Sequence, residues 1–579
     1  MAKKIVIEKD IPIPMRDGTV LKADLYRPES PERLPVLLNR TPYGKSGPML
    51  RQSMDSVRAA LNDYNVLIQD CRGRYRSEGD WTCFMSELED GYDTVEWAAH
   101  QPWADGKVGT WGSSYMGVTQ WLAASQAPPS LKAIAPALTA SNYHDGWTYQ
   151  GGAFSLGFNL SWTMTALAPD RLMKARAHNP QASSELGRVI GGIDEMAQML
   201  EVLALKELPM FQIGAPFYFD WLDHPSYDSY WRRIDIEAHH DRITVPAFNI
   251  GGWYDIFLGG TLRNFTGMQA RGASVQARSG QQLMVGPWAH GLPRANMAGQ
   301  ADFGYRSTPL SIDQDRMVLN FFDRWLKNID RGDAPAKVRL FVMGPNRWRD
   351  ENEWPLTRTQ WQRFYLHSRG RANSVAGDGA LDLAAPGDEP PDSYVYNPLN
   401  PTPTRGGGLC CYAPVVPGGA FDQRAIESRA DVLVYSTEPL SEDLEVTGPV
   451  RLTLFASSSA PDTDFTAKLV DVAPGGEARN LTDGIIRARY RESASDPSLL
   501  KTGQIYEYTI ELGSTCAVFA AGHRLRLEVS SANFPRFDRN PNTGHDLFAD
   551  GETSPAMQTV MHRRGCASYL TLPVIPARP

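Results

Sequence analysis

The sequence predicts an α/β fold: a parallel sheet with helices on its faces, a helical segment inserted into it, and a β-sandwich of jelly-roll type at the C-terminal end. Three observations predict it. Strand-like and helix-like runs alternate over residues 1–140 and again over 243–333, as a parallel sheet with crossover helices requires. Across residues 141–242 the sheet signal gives way to helix-like and aromatic segments such as FSLGFNLSWTMTAL and PFYFDWLDHP, which read as a cap inserted into the sheet domain. Over residues 334–579 short alternating strands separated by Gly, Pro and Asp take over, the pattern of a sandwich or jelly roll.

Each element follows from local pattern. TVLKADLYRP, LPVLLNRTPYG and YNVLIQDCRG are apolar runs bounded by turn residues and read as strands. ELEDGYDTVEWAAHQP carries helical spacing at Leu88, Tyr92, Val95 and Trp97, and Gln101-Pro102 stops it. VGTWGSS reads as a strand, YMGVTQWLAASQA as a helix and LKAIAPAL as the next strand. Beyond the cap, VPAFNIGGWYD and QQLMVGPWAH are strands, and DQDRMVLNFFDRWLKN is an amphipathic helix. Character changes at Asp330-Arg331-Gly332-Asp333, after which VRLFVMG, VRLTLFASS, FTAKLVDVAP, YEYTIELG and HRLRLEVSS are assigned to the C-terminal β-domain. The Pro- and Gly-rich stretch from Ala384 to Gly408 reads as surface connections.

A chain of 579 residues exceeds what one core holds, so several domains are expected. A formal charge of -8 without long runs of one sign gives no footprint for nucleic acid or an anionic membrane. The N-terminus lacks a signal-peptide apolar stretch, and no segment approaches the roughly 20 apolar residues of a membrane span, which predicts a cytoplasmic protein. The six cysteines show no zinc or disulfide spacing. Adjacent cysteines do not readily bridge, so Cys410 and Cys411 read as packing residues. Scattered histidines and the lack of an H-E-x-x-H motif imply no metal and no organic cofactor.

The chemistry concentrates at WGSSYMGVTQW, a strand, turn and helix in which a serine on a sharp turn needs small neighbours. Ser114 has Gly112 two before it and Gly117 three after it, whereas Ser113 would be crowded by Trp111 and Tyr115. The motif departs from G-x-S-x-G, because Met116 stands where the second glycine belongs. Asp255 follows the strand VPAFNIGGW and His290 follows QQLMVGPW, so both fall in loops at the carboxyl edge of the sheet, where ligands bind. Taken singly, such an Asp is an ordinary loop cap and such a His an ordinary packing residue. In the order Ser, Asp, His they match the triad of an α/β-hydrolase. Ser114 then attacks, His290 takes its proton and Asp255 holds the imidazole. The oxyanion needs donors: the backbone N–H of Tyr115, and a second from the loop Thr41-Pro42-Tyr43-Gly44.

RTPYG, DCRGRYRSEG, DGYDTVEW, WGSSYMGVTQW, GGWYDIFLGG and VGPWAH, continued by KVRLFVMGPNRWRDENEWP, DTDFTAKLVDVAP and VSSANFPRFDRNPNTG, resemble the cocaine-esterase-like branch of the X-prolyl dipeptidyl-peptidase-type serine hydrolases. The resemblance spans nearly the whole chain. It implies an α/β-hydrolase domain with a helical cap and a C-terminal jelly roll, the nucleophile at Ser114, the acid at Asp255, the base at His290, and the Tyr43 hydroxyl as second oxyanion donor. It also implies an acyl pocket lined by Trp147, Trp162 and Phe257, hence a substrate with a bulky or aromatic acyl group. The jelly-roll loop GGGLCCYAP would bring Cys410, Cys411 and Tyr412 towards that pocket. The family branch that cleaves α-amino-acid esters places carboxylates just after the acid; here Ile256, Phe257, Leu258 and two glycines follow Asp255. The expected partner is therefore a small-molecule ester, with amide cleavage the second reading, a non-catalytic polymer-binding protein the third, and a homodimer compatible with each.

Overall fold

The computed structural model describes residues 3–47, 54–290, 296–329, 336–549 and 551–576. The expected change of character at 330–333 lies outside the described residues. Among the described residues ten strands form the first sheet: β1 (Ile5–Pro14), β2 (Val20–Pro28), β3 (Leu34–Thr41), β4 (Asn65–Asp70), β5 (Ala104–Ser113), β6 (Leu131–Ala137), β7 (Phe248–Tyr254), β8 (Gln282–Ala289), β9 (Val338–Val342) and β10 (Arg347–Glu351). Their order is β1-β2-β4-β3-β5-β6-β7-β8-β9-β10. Neighbours from β4 to β9 pair in parallel, while β1, β2 and β10 add antiparallel edges. Parallel strands need helices on both faces, which is why β3, β4 and β7 are buried along their whole length. The covering helices include α1 (Glu87–Ala99), α2 (Tyr115–Ser125), α5 (Leu258–Arg271) and α6 (Gln314–Lys327), with α3 (Leu156–Trp162) and α4 (Ala168–Ala175) belonging to the inserted segment.

Three strands of the first sheet depart from expectation: β1, β9 and β10, the last a polar run, RWRDE, not anticipated as a strand. β1 was not anticipated: its prolines weaken the strand signal, but it lies at the sheet edge, where missing N–H donors are tolerated. β9, the VRLFVMG run assigned to the C-terminal domain, instead pairs in parallel with β8, so the first sheet continues to Glu351. The alternation of a short strand does not say which sheet will take it.

From Gln360 to Ile575, among the described residues, twelve strands form the second sheet, the C-terminal jelly roll, whose core runs on into Trp253, Leu262 and Val285 of the first domain. Here too there is a correction: the stretch expected to be surface connection contains the strand Asp392–Tyr396, paired with Ala556–Arg563. The inserted segment carries a short hairpin at Tyr149–Phe154, then helices α3 and α4 joined by a π-helical turn, Thr163–Leu167. Buried contacts lock the jelly roll to both other parts. Arg487 pairs with Asp464 and Asp538 at 2.9 Å each, and Asp538 accepts the Phe154 N–H of the cap at 2.7 Å. Tyr254, on β7, donates its hydroxyl to the Asn480 carbonyl of the jelly roll at 3.3 Å. Against expectation, Cys410 and Cys411 are joined in a vicinal disulfide. Cys410 and Leu409 are buried in the same apolar cluster as Trp147, Trp162 and Phe257. Among the described residues no helix is long and apolar enough to cross a membrane.

Candidate active site

The site is built on the carboxyl ends of four parallel strands. β5 ends at Ser113 and α2 starts at Tyr115, leaving Ser114 alone on the turn with φ 60° and ψ −126°, a conformation that costs a non-glycine residue free energy and marks a functional constraint. The glycines around it are there for space. A Cβ on Gly112, whose φ is 136°, would meet the Met116 Cβ at 2.6 Å and the Asn39 amide nitrogen at 2.7 Å. One on Gly117 would meet the Thr139 side chain at 2.6 Å. This explains the irregular motif. The close approach behind the turn is at Gly117, while Met116 is buried in the core.

Asp255 immediately follows β7 and His290 immediately follows β8. The imidazole stands between the two other groups: Nδ1 is 2.6 Å from Asp255 Oδ1, and Nε2 is 3.0 Å from Ser114 Oγ. Neutral His290 with its proton on Nδ1 donates to the carboxylate and leaves Nε2 to accept the Ser114 hydroxyl proton. The Asp255 side chain is fully buried and that of His290 is 7% exposed, so this chain of hydrogen bonds is shielded from water. Ser113, the rival serine, closes the strand one residue earlier.

Tyr43 follows β3, and its phenol lies beside the Ser114 side chain. The Trp162 indole N–H donates to the Tyr43 oxygen at 3.0 Å, so the phenol's own proton is free to point at the reacting centre. Its loop is pinned by the Tyr43 N–H on Thr41 Oγ1 at 3.1 Å and the Lys45 N–H on Asp70 at 2.6 Å. Tyr115 contributes differently. As the first residue of α2, it presents a backbone N–H with no acceptor inside the helix. Its phenol turns away from Ser114 into the core, accepting the Phe84 N–H at 2.8 Å and donating to Glu87 at 3.2 Å.

Burial pushes the Tyr43 phenol well above the ordinary tyrosine range, since the phenolate would be desolvated. The folded protein therefore keeps this proton where a free phenol loses it. Ester hydrolysis should run level through about pH 10, the ordinary tyrosine value. A rate profile with an alkaline loss near that value, absent from Tyr43→Phe, would contradict the assignment.

The three expected pocket residues come together beside the serine. Phe257 sets its edge against the His290 ring, with centroids 5.1 Å apart. Trp147 stacks on Phe257 at 4.1 Å, and Trp162 meets Trp147 at 5.5 Å. Phe158, which the sequence did not single out, fills the angle between Trp162 and Phe257 at 5.3 and 5.4 Å. The helical spacing of Phe158 and Trp162, both on α3, was the available signal. A cavity of about 250 Å³ borders Asp255, with Arg263, Asp483, Glu511 and Arg536 among its lining residues; Ser114 and the three aromatic residues are not.

Comparison with known proteins yields consistent relatives. Residues 17–292 match the family described as X-Pro dipeptidyl-peptidase (S15 family), and 331–571 match the X-Pro dipeptidyl-peptidase C-terminal non-catalytic domain. The chain is 40% identical over 584 residues to a cocaine esterase of Rhodococcus sp. (strain MB1 Bresler), covering 98% of each chain. Among solved structures it is similar to an aminopeptidase of a marine-sediment Thaumarchaeota archaeon, with 25% identity, TM-score 0.80, and coverage of 100% of this chain and 97% of that one. It is also similar to an α-amino acid ester hydrolase, with 27% identity, TM-score 0.78, and coverage of 99% and 97%.

Proposed function

The chain belongs to the cocaine-esterase-like branch of the X-Pro dipeptidyl-peptidase (S15) family and is a serine ester hydrolase, and from that premise we propose that it cleaves esters of bulky or aromatic acids through Ser114, His290 and Asp255. One observation carries the reading: hydrogen bonds run from Asp255 through His290 to Ser114, and the Tyr43 phenol, held by the Trp162 indole, lies beside that serine. In the proposed cycle Ser114 Oγ attacks the ester carbonyl as its proton passes to His290 Nε2. The carbonyl oxygen becomes an oxyanion held by the Tyr43 O–H and the Tyr115 N–H. Asp255 stabilises the imidazolium. Collapse expels the alcohol, which takes the proton from His290, and leaves an acyl-enzyme. Water, deprotonated by the same imidazole, then releases the acid.

The acyl preference rests on Trp147, Trp162 and Phe257 beside the nucleophile. This apolar cluster beside the triad suits an aromatic or bulky apolar group rather than an ammonium ion, and no carboxylate occurs among residues 256–260. Ester hydrolysis is therefore favoured over cleavage of peptides bearing a free amino terminus. The test is a series of 4-nitrophenyl esters. Benzoate should exceed acetate in kcat/KM by about tenfold or more, and Trp147→Ala or Phe257→Ala should shrink that ratio. Equal rates for the two acyl groups would remove the pocket assignment and leave the triad untouched.

A further inference from the structure

Arg74 is fully buried, and the nearest carboxylate oxygen, on Asp170, is 3.6 Å away. Its guanidinium is instead spread over three backbone carbonyls: Nε donates to Pro42 at 2.9 Å, Nη1 to Leu167 at 2.8 Å and Nη2 to Ala166 at 3.0 Å. The cation also lies over the Trp81 ring, 5.0 Å from its centroid. These carbonyls come from two separate parts of the molecule. Pro42 immediately precedes Tyr43 in the loop after β3. Ala166 and Leu167 close the π turn that follows α3, the cap helix whose last residue is Trp162. A π turn breaks the regular i to i−4 ladder, so its carbonyls are available to an outside donor.

The contacts close a ring. Trp162 holds the Tyr43 hydroxyl from the cap side, and Arg74 holds the backbone on either side of that bond. We infer that Arg74 is a positioning residue for the oxyanion donor: it fixes Tyr43 relative to Ser114 by tying the Tyr43 loop to the cap. Only arginine suits the place, because a planar fork can serve three carbonyls in different directions, whereas a lysine ammonium is a point charge on a flexible stem. Neighbouring contacts strengthen the same seam. Lys174 of α4 reaches the Gly73 and Ser77 carbonyls, and Arg171 reaches that of Trp81, but neither is bonded to the Tyr43 loop.

This inference rests on Tyr43 being an oxyanion donor, so the test carries both claims in one double-mutant cycle. Arg74→Met, Tyr43→Phe and the double variant are assayed on 4-nitrophenyl benzoate, with urea midpoints measured alongside. Arg74→Met should lower kcat about 10- to 100-fold with KM little changed, because a misplaced donor is felt in the transition state. In the Tyr43→Phe background the same substitution should cost less than about twofold, since the group it positions is already gone. A structural role alone would cost the same factor in both backgrounds, and that result overturns the inference while leaving the oxyanion assignment standing. Wild-type activity in Tyr43→Phe overturns both. Should Arg74→Met fail to fold, Arg74→Lys, which keeps the buried charge and loses the fork, replaces it in the same cycle with the same two readings.

Discussion

Replacing Ser114 with alanine should lower kcat on an aromatic ester by on the order of a millionfold, and adding His290→Ala to that variant should cost almost nothing further. The reason is that the two residues act as a unit. His290 Nε2 lies 3.0 Å from Ser114 Oγ, and in the proposed cycle it receives the proton of that oxygen. Without the oxygen there is no proton to receive and no covalent intermediate to hydrolyse. Residual rate comes from whatever the oxyanion donors and binding contribute on their own. Losses that multiply in the double variant, each residue costing its full factor separately, would mean that the two do not serve the same step. Alanine keeps the Cβ that serine has at this positive φ and removes only the hydroxyl oxygen, so the fold should stay intact, and thermal unfolding checks this.

Tyr43→Phe has the next largest expected effect, about 100- to 1,000-fold in kcat, the range for loss of one oxyanion donor. The substitution removes a single oxygen from a buried ring. It also leaves the Trp162 indole N–H without its acceptor, which should reduce stability by about 1–3 kcal/mol. The kinetic loss exceeds that in kind as well as size. It should fall on kcat and kcat/KM equally, because the phenol's proton is engaged fully only when the carbonyl oxygen carries charge. A rise in KM with kcat preserved would make Tyr43 a substrate-binding residue instead.

Much of this site was legible in the sequence because strand ends are legible. Ser114, Asp255 and His290 each directly follow a predicted strand, and a parallel sheet gathers the ends of such strands on one edge. The Tyr43 loop follows the same rule. What the sequence could not supply is contact across the cap. Phe158 was one of many aromatic residues, and only the crossing of α3 over the sheet brings it against Trp162 and Phe257. Arg74 was unreadable for a sharper reason: its partners are carbonyls, which every residue has. The glycine displaced to position 117 was visible but not its cause, which is the side chain of Thr139 from a distant loop. β9 went to the wrong sheet because five alternating residues fit either one. Cys410 and Cys411 were judged by the rule for separated cysteines, and the bridge between neighbours falls outside that rule.

The most direct measurement of the central claim is covalent labelling with a fluorophosphonate, followed by identification of the modified peptide by mass spectrometry. Such a probe reacts with a serine oxygen activated by a hydrogen-bonded base. One equivalent per chain should attach at Ser114, with loss of ester hydrolysis in step with labelling, and Ser114→Ala should take up none. Labelling that persists in Ser114→Ala, or an enzyme that keeps its activity after Ser114 is fully modified, would contradict it.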